Sequence, residues 1–272
     1  MLNARQLIEN RADVLFITLD SLRYDAAQAA FRRGLTPHLA ALLPPTGWQR
    51  RHTPGNFTLP AHLAFFTGFL PTPTAPGPHP RLFAGAFPGS ETTAAETFAY
   101  EEPHLPAALQ SRGYRTICVG GVGFFNKLTP LGSLLPDHFE TSVWCREYGV
   151  TDPRSTENQV RACLPFVAGR PVGEPLFLFL NVSAIHQPSC LFTPGAGEDS
   201  VATQIDALVY ADHHLGALFA AFRERGKTLA IVCSDHGTAL GEDGYRGHRL
   251  SHPVVWDVPY AEAILGPEGA GA

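Results

Sequence analysis

Three apolar runs along the chain each lead to a polar side chain suited to chemistry. Asp13-Val-Leu-Phe-Ile-Thr-Leu runs into Asp20, Pro175-Leu-Phe-Leu-Phe-Leu-Asn181-Val leads to His186, and Thr228-Leu-Ala-Ile-Val-Cys233 leads through Ser234 to Asp235-His236. Short apolar and β-branched runs of this kind predict strands buried on both faces, as in a parallel sheet. Open α/β sheets bind ligands beyond the carboxyl ends of their strands. Asp20, His186, Asp235 and His236 are therefore candidate ligand-binding side chains held by rigid elements.

Helical segments separate the runs. Ala26 to Arg33 predicts a helix stopped by Gly34, and Leu35 to Leu43 a second, with Thr36 as cap and Pro37 in its first position. Thr58-Leu-Pro60 opens a helix that Gly68 closes, and its unpaired N–H groups would suit an oxyanion. Leu105 to Gly113 followed by Tyr114 to Gly120 reads as one helix–strand step of a layered fold, and Asn158 to Val167 and Ser200 to Arg223 have helical spacing. Val254 to Leu265 suggests one or two closing strands, and Gly266 to Ala272 a frayed tail.

Two stretches read as irregular. Phe69 to Ala99 is rich in Pro, Gly, Thr and Ala, which suits a functional lid as well as a tolerated insertion. Pro130 to Asp152 contains Trp144 and Tyr148 as packing residues. Gly120, Gly121 and Gly123 lack the spacing of a dinucleotide fingerprint. The chain is thus expected to be a single α/β domain over residues 1–272, with an irregular excursion at about 69–100.

Composition narrows the partners. The 272 residues are 44% hydrophobic, which supports a sizeable core and argues against disorder. The formal net charge is −5 and the cations are scattered, which argues against a nucleic-acid binder. An anionic substrate would need local attraction, for example from a bound metal. Five cysteines, with no C-x-x-C pair, form no disulfide framework. Met1 to Ala12 has no apolar signal core, and no stretch approaches the roughly 18 apolar residues of a membrane helix. A cytoplasmic protein without a membrane anchor is expected; the oligomeric state stays open.

Taken singly, the candidates have bland readings. Asp20 or Thr58 could cap the helix that follows it, and His186 could be a turn histidine. Asp212-His213-His214 lies inside a predicted helix, where successive side chains diverge, and is assigned to a solvated face.

Order and spacing together carry more. The segments Val14-Leu-Phe-Ile-Thr-Leu-Asp20-Ser-Leu-Arg23-Tyr-Asp25, Thr36-Pro-His38-Leu, Thr58-Leu-Pro60-Ala-His62, Gly113-Tyr-Arg-Thr116, His186-Gln-Pro188, Ser234-Asp-His-Gly237 and Val258-Pro259 resemble the alkaline phosphatase superfamily, in its sulfatase-like branch. The resemblance spans residues 13 to about 266 and implies a three-layer α/β/α sandwich around a mostly parallel central sheet.

The resemblance also implies that Asp20, Asp235 and His236 hold a divalent metal, which the Thr58 hydroxyl oxygen joins. Mixed carboxylate and imidazole ligands suit Zn²⁺ or Mn²⁺. Sulfatases place a cysteine or serine, the precursor of formylglycine, where Thr58 stands, and an arginine where His62 stands; Ser21 replaces the second aspartate of their Asp-Asp pair. Asparagine is usual at the place of His38, and no long C-terminal subdomain follows Val258-Pro259.

With threonine as nucleophile the set is more similar to lipoteichoic acid synthases and phosphoethanolamine transferases. Their extra histidines contact the phosphoryl group or a second metal, and His186 and His248 match by motif order. Those enzymes are membrane-anchored and extracytoplasmic, so lipid substrates are not the expectation here. The expected function is metal-dependent hydrolysis of a small-molecule phosphate mono- or diester through phospho-Thr58, with one or two metal ions. Transfer to an alcohol acceptor and a catalytically silent metal-binding scaffold are the alternatives. Arg23, Asn56, His62, Arg246 and Arg249 are weaker candidates for substrate contacts.

Overall fold

A computed structural model describes residues 2–68, 81–83, 97–99, 103–169, 171 and 173–267. The elements of the first half are α1 (Ala4–Glu9), β1 (Asp13–Leu19), α2 (Tyr24–Arg32), α3 (Pro37–Ala40), β2 (Gln49–His52), α4 (Thr58–Thr67), β3 (Arg81–Phe83), β4 (Thr97–Ala99), α5 (Leu105–Gln110) and β5 (Arg115–Val119). There follow α6 (Pro130–Ser133), β6 (Thr141–Val143), α7 (Ser155–Ala168), β7 (Leu176–Val182), α8 (Val201–Arg225), β8 (Thr228–Cys233), β9 (Ala239–Leu240), β10 (Arg246–Gly247), α9 (Pro253–Trp256) and β11 (Asp257–Leu265).

Seven strands form one sheet in the order β2-β11-β8-β1-β7-β5-β6. β1 lies between β7 and β8 and is parallel to both. β5 and β6 continue the parallel side, while β11 and β2 add antiparallel strands at the other edge. Every residue of β1 and β7 is buried, because helices cover both faces. Alternate residues of these strands serve different cores. Leu15, Ile17, Leu178 and Leu180 pack with α2, α3, α7 and α8, whereas Val14, Phe16, Phe177 and Phe179 pack with Phe66 of α4 and Leu109 of α5. The three-layer α/β/α sandwich follows. The edge strand β2 is fully exposed, and its sequence Gln-Arg-Arg-His discourages pairing with another chain.

Several local expectations need correction. Thr36 does not cap α3 with its side chain, and its buried hydroxyl has no hydrogen-bond partner among the described residues. The cap comes from α8, where buried Asp212 accepts the N–H groups of His38 at 3.3 Å and Leu39 at 2.7 Å. Asp212 is therefore not part of a solvated face, although His213 is exposed. Within 130–152, β6 adds an outer strand to β5, three residues being too short to show a period. Within 69–99, β3 and β4 pair in parallel; the rest of that stretch lies outside the described residues, as does the tail from 268. Among the described residues, no helix is long and apolar enough to cross a membrane.

The end of the sheet away from the ligand-bearing strand ends is fixed by a buried ion pair. Asp13, at the start of β1, accepts from Arg225 Nε at 2.7 Å and from the Leu176 N–H at 2.7 Å. Arg225 closes α8 and also donates to the carbonyls of Val167 and Glu174. Removing one partner of a buried pair strands the other charge, at a cost of about 3–5 kcal/mol. Asp13→Ala should lower the unfolding free energy by that amount in a urea titration. A loss below about 1 kcal/mol, the range of exposed pairs, would contradict this role.

Candidate active site

Because β8, β1 and β7 are adjacent and parallel, their carboxyl ends share one edge of the sheet. Asp20 follows β1 directly, Ser234-Asp235-His236 follow β8, and the turn to His186 follows β7. The chain turns sharply after Asp20, with Ser21 in the left-handed region at φ 64°. That turn joins the two carboxylates. The Ser21 N–H donates to Asp235 Oδ1 at 3.2 Å, and its hydroxyl to Asp20 Oδ1 at 3.0 Å. On the other side, a Cβ at Gly237 would lie 1.9 Å from the Val254 carbonyl oxygen, so only glycine lets the segment around α9 close over His236.

The electron pairs of this cluster converge. His236 Nδ1 donates to the Gly237 carbonyl at 2.8 Å, which leaves Nε2 as an acceptor. Nε2 faces Asp235 Oδ2 at 3.4 Å, Asp20 Oδ1 at 3.9 Å and Thr58 Oγ1 at 3.4 Å. Asp235 Oδ2 is buried with no hydrogen-bond partner among the described residues. Ligand atoms of Asp20, Asp235 and His236 lie within 4.8 Å of one another, and all three residues are buried.

The charges follow from this crowding. Burial and the neighbouring Asp20 push the Asp235 carboxyl well above the usual range. Burial also opposes ionisation of Asp20, but the imidazoles of His186 and His236 and the Asn181 amide outweigh it and hold that carboxyl low. His236 is pushed down by burial. An orphaned carboxylate oxygen and an imidazole lone pair aimed at one point form a donor set that a divalent cation satisfies. The residues present fit such an ion.

Thr58 completes the group. It is the first residue of α4, and the preceding Phe57 takes the cap position with extended backbone. The threonine hydroxyl is therefore not spent on capping. It lies 3.4 Å from both Asp20 Oδ2 and His236 Nε2, a long contact that commits it to neither.

Beneath Thr58 a buried network holds the site. His62 Nδ1 donates to the Thr58 carbonyl at 2.7 Å, and its Nε2 accepts from the Thr18 hydroxyl at 3.0 Å. Asn181 donates to Thr18 Oγ1 and to Asp20 Oδ2, each at 3.2 Å, while its own oxygen accepts the Val122 N–H at 3.0 Å. Burial pushes the His62 pKa down to about 4, so its 3.8 Å approach to Asp235 Oδ2 is not an ion pair at neutral pH. Expected as a substrate contact, His62 is instead a support packed among Phe65, Phe66, Phe125 and Phe179. Thr18 and Asn181 escaped the sequence reading; their signal is a polar residue inside an otherwise apolar strand.

His186 and His248 stand above the cluster. Their rings are 5.6 Å apart, and the His248 ring is 4.6 Å from that of His236. His186 Nδ1 donates to the Gln187 carbonyl at 2.7 Å, which leaves its Nε2 free to accept. Burial and the two neighbouring histidines push His248 down to about 4. With Thr58 they line a cleft of about 260 Å³.

The arginines are placed differently from one another. Arg23 is buried and closed on Asp25 and Glu242, so its charge is used to fasten the loop that carries His248. Arg246 is exposed, 3.9 Å from Glu198. Arg249 is exposed beside His248, and its backbone N–H donates to the carbonyl of half-buried Asn56 at 2.8 Å.

Known proteins share this framework. The sulfatase family model matches residues 12–260. The C-terminal periplasmic domain of EptC from Escherichia coli, in a complex with Zn, superposes with TM-score 0.61 at 14% identity over 93% of this chain and 72% of that one. The soluble domain of lipooligosaccharide phosphoethanolamine transferase A from Neisseria meningitidis gives 0.62 at 16% identity, covering 93% and 76%. The lipoteichoic acid synthase LtaP from Listeria monocytogenes gives 0.60 at 13% identity, covering 96% and 66%. At these identities the likeness is one of fold. No curated protein sequence matches the chain.

The converging acceptors make metal binding measurable through stability. Zn²⁺ or Mn²⁺ at about a hundredfold excess over Kd should add about 2.7 kcal/mol to the metal-free protein. For a chain of this size that is a rise in Tm on the order of 5–10 °C. Asp235→Asn, which removes one of two facing carboxylates, should unfold no earlier than wild type without metal and lose most of the metal-induced rise. An unchanged rise in that variant would remove Asp235 from the ligand set.

Proposed function

The chain belongs to the sulfatase family, and on that premise we propose that it is a metal-dependent phosphate-ester hydrolase acting through a phosphothreonine at Thr58. The observation that carries the reading is the Thr58 hydroxyl, buried, free of capping duty and within 3.4 Å of both Asp20 and His236. Asp20, Asp235 and His236, with the Thr58 oxygen, would hold a zinc or manganese ion. When bound, such an ion supplies positive charge that lowers the hydroxyl pKa and offsets charge on a phosphoryl oxygen.

The chain's own groups do the rest. Thr58 Oγ1 loses its proton to solvent and forms a bond to phosphorus in line with the ester bond, which breaks with its electron pair; the departing alkoxide takes a proton from water. Water then attacks phosphorus, the Oγ1–P bond breaks, Oγ1 is reprotonated and phosphate leaves. His248, neutral at pH 7, has no hydrogen-bond partner on its ring among the described residues and is able to donate one N–H to a phosphoryl oxygen. His186 offers an Nε2 lone pair, which suits a second cation. His62, Thr18 and Asn181 hold Thr58 and Asp20 in register. Threonine carries a methyl group on Cβ, so it cannot yield the formylglycine aldehyde, and this favours phosphate over sulfate esters.

A second reading, transfer of the phosphoryl group to an alcohol, draws support from the transferase and synthase names of the similar structures. Product analysis separates the two. Phosphate released without added alcohol supports hydrolysis, and strictly alcohol-dependent turnover supports transfer.

Thr58→Ala should reduce turnover of an aryl phosphate on the order of 10³-fold or more while metal still raises Tm. Wild-type enzyme quenched in acid during turnover should carry a phosphoryl adduct on Thr58 by peptide mass spectrometry. Activity within tenfold of wild type in Thr58→Ala would overturn the covalent mechanism.

A further inference from the structure

The cleft beside Thr58 has a character that the phosphoryl chemistry does not require. It is lined by Thr58, His186 and His248, and otherwise largely by apolar side chains: Val122, Phe124, Leu131 and Val150. Among the described residues that line it, none is Lys, Arg, Asp or Glu. Two cations of this region are engaged elsewhere, and Arg246, two residues before His248, is exposed 3.9 Å from Glu198. Lys127 Nζ donates to Ser142 Oγ at 2.7 Å, and Arg23 is closed on Asp25 and Glu242. Arg249 places its charge beside His248, at the phosphoryl end.

The apolar part is built rather than incidental. The Val122 N–H is held by Asn181, the same side chain that orients Asp20. Thr129 caps the short α6 through the Gly132 N–H at 3.0 Å, and a Cβ at Gly132 would meet Asn126 Oδ1 at 2.3 Å. At about 260 Å³ the space is below the roughly 300–1,000 Å³ of drug-sized sites, enough for one aromatic ring or a short alkyl chain.

We propose that this cleft selects phosphate esters whose leaving group is uncharged and apolar, an aryl or short alkyl alcohol. It would disfavour esters that carry a second anionic group there, as nucleotides and sugar diphosphates do. A second anion would be desolvated among Val122, Phe124, Leu131 and Val150 without a partner, whereas an apolar ring gains from the same surroundings. The inference rests on the phosphoesterase reading, which supplies the phosphoryl end of the substrate.

The test uses phenyl phosphate and 3-carboxyphenyl phosphate, whose phenols leave with similar ease, on the metal-loaded full chain. Phenylphosphonate and 3-carboxyphenylphosphonate, which cannot be hydrolysed, are titrated calorimetrically in parallel. The phenyl compounds should be favoured roughly 10- to 100-fold in kcat/KM and in Kd. Leu131→Arg should erase or invert the preference, with Val150→Lys as a second variant should the first not fold. Equal or better handling of the carboxylates by wild type would overturn the inference, and turnover would still stand for the phosphoesterase reading. Absence of turnover with a retained phenylphosphonate preference would overturn that reading and leave the cleft's selectivity standing. If neither phosphonate binds and neither ester turns over, both fail.

Discussion

Two buried carboxylates and an imidazole that turn lone pairs on one another are satisfied either by a proton held on Asp235 or by a cation between them. That requirement organises the protein. His236 has its one ring proton committed to the Gly237 carbonyl, and Asp235 Oδ2 has no hydrogen-bond partner among the described residues. A solvated cluster would relax by taking up water. This one is buried under α4 and the segment around α9, so the acceptors stay together.

The strand order is what makes such a cluster possible. Asp20 and Asp235 are 215 residues apart in number, yet β1 and β8 are neighbours and parallel, so both carboxylates leave the sheet at one edge. The same parallel pairing brings β7 alongside β1, which sets Asn181 against Thr18 and lets one amide reach both Thr18 and Asp20. Asn181 also holds the Val122 N–H, so the reacting centre and the cleft wall share a support. A neutral His62 under Thr58 adds stiffness without adding charge, which suits a position where a second cation would compete with the proposed metal.

Much of this was legible in the sequence, and the reason is local. Asp20, Asp235 and His236 follow strands whose patterns are plain, so their gathering at one edge of the sheet needed only the rule that ligands gather at strand ends, whereas Thr58, at a helix start, was joined to them by the family resemblance. The shortfalls are long-range. Thr36 has the right residue type for a cap, yet Asp212, 176 positions later, takes the task. Arg23 resembles a phosphate contact until Glu242 is brought to it by the loop after β8. His62, one helical turn after Thr58, reads as a substrate contact, but four phenylalanine rings from three parts of the chain close around it here. β6 is too short for periodicity to register, and it exists because β5 offers it a free edge.

The claim that Asp20, Asp235, His236 and Thr58 form one cation-dependent centre is tested most directly by anomalous diffraction at the zinc edge from crystals of the zinc-loaded protein. The account requires a peak with Asp20, Asp235 and His236 Nε2 at about 2.0–2.2 Å and Thr58 Oγ1 in the same coordination sphere. A peak bonded only to other side chains, or none here while the protein is saturated with zinc, would contradict it.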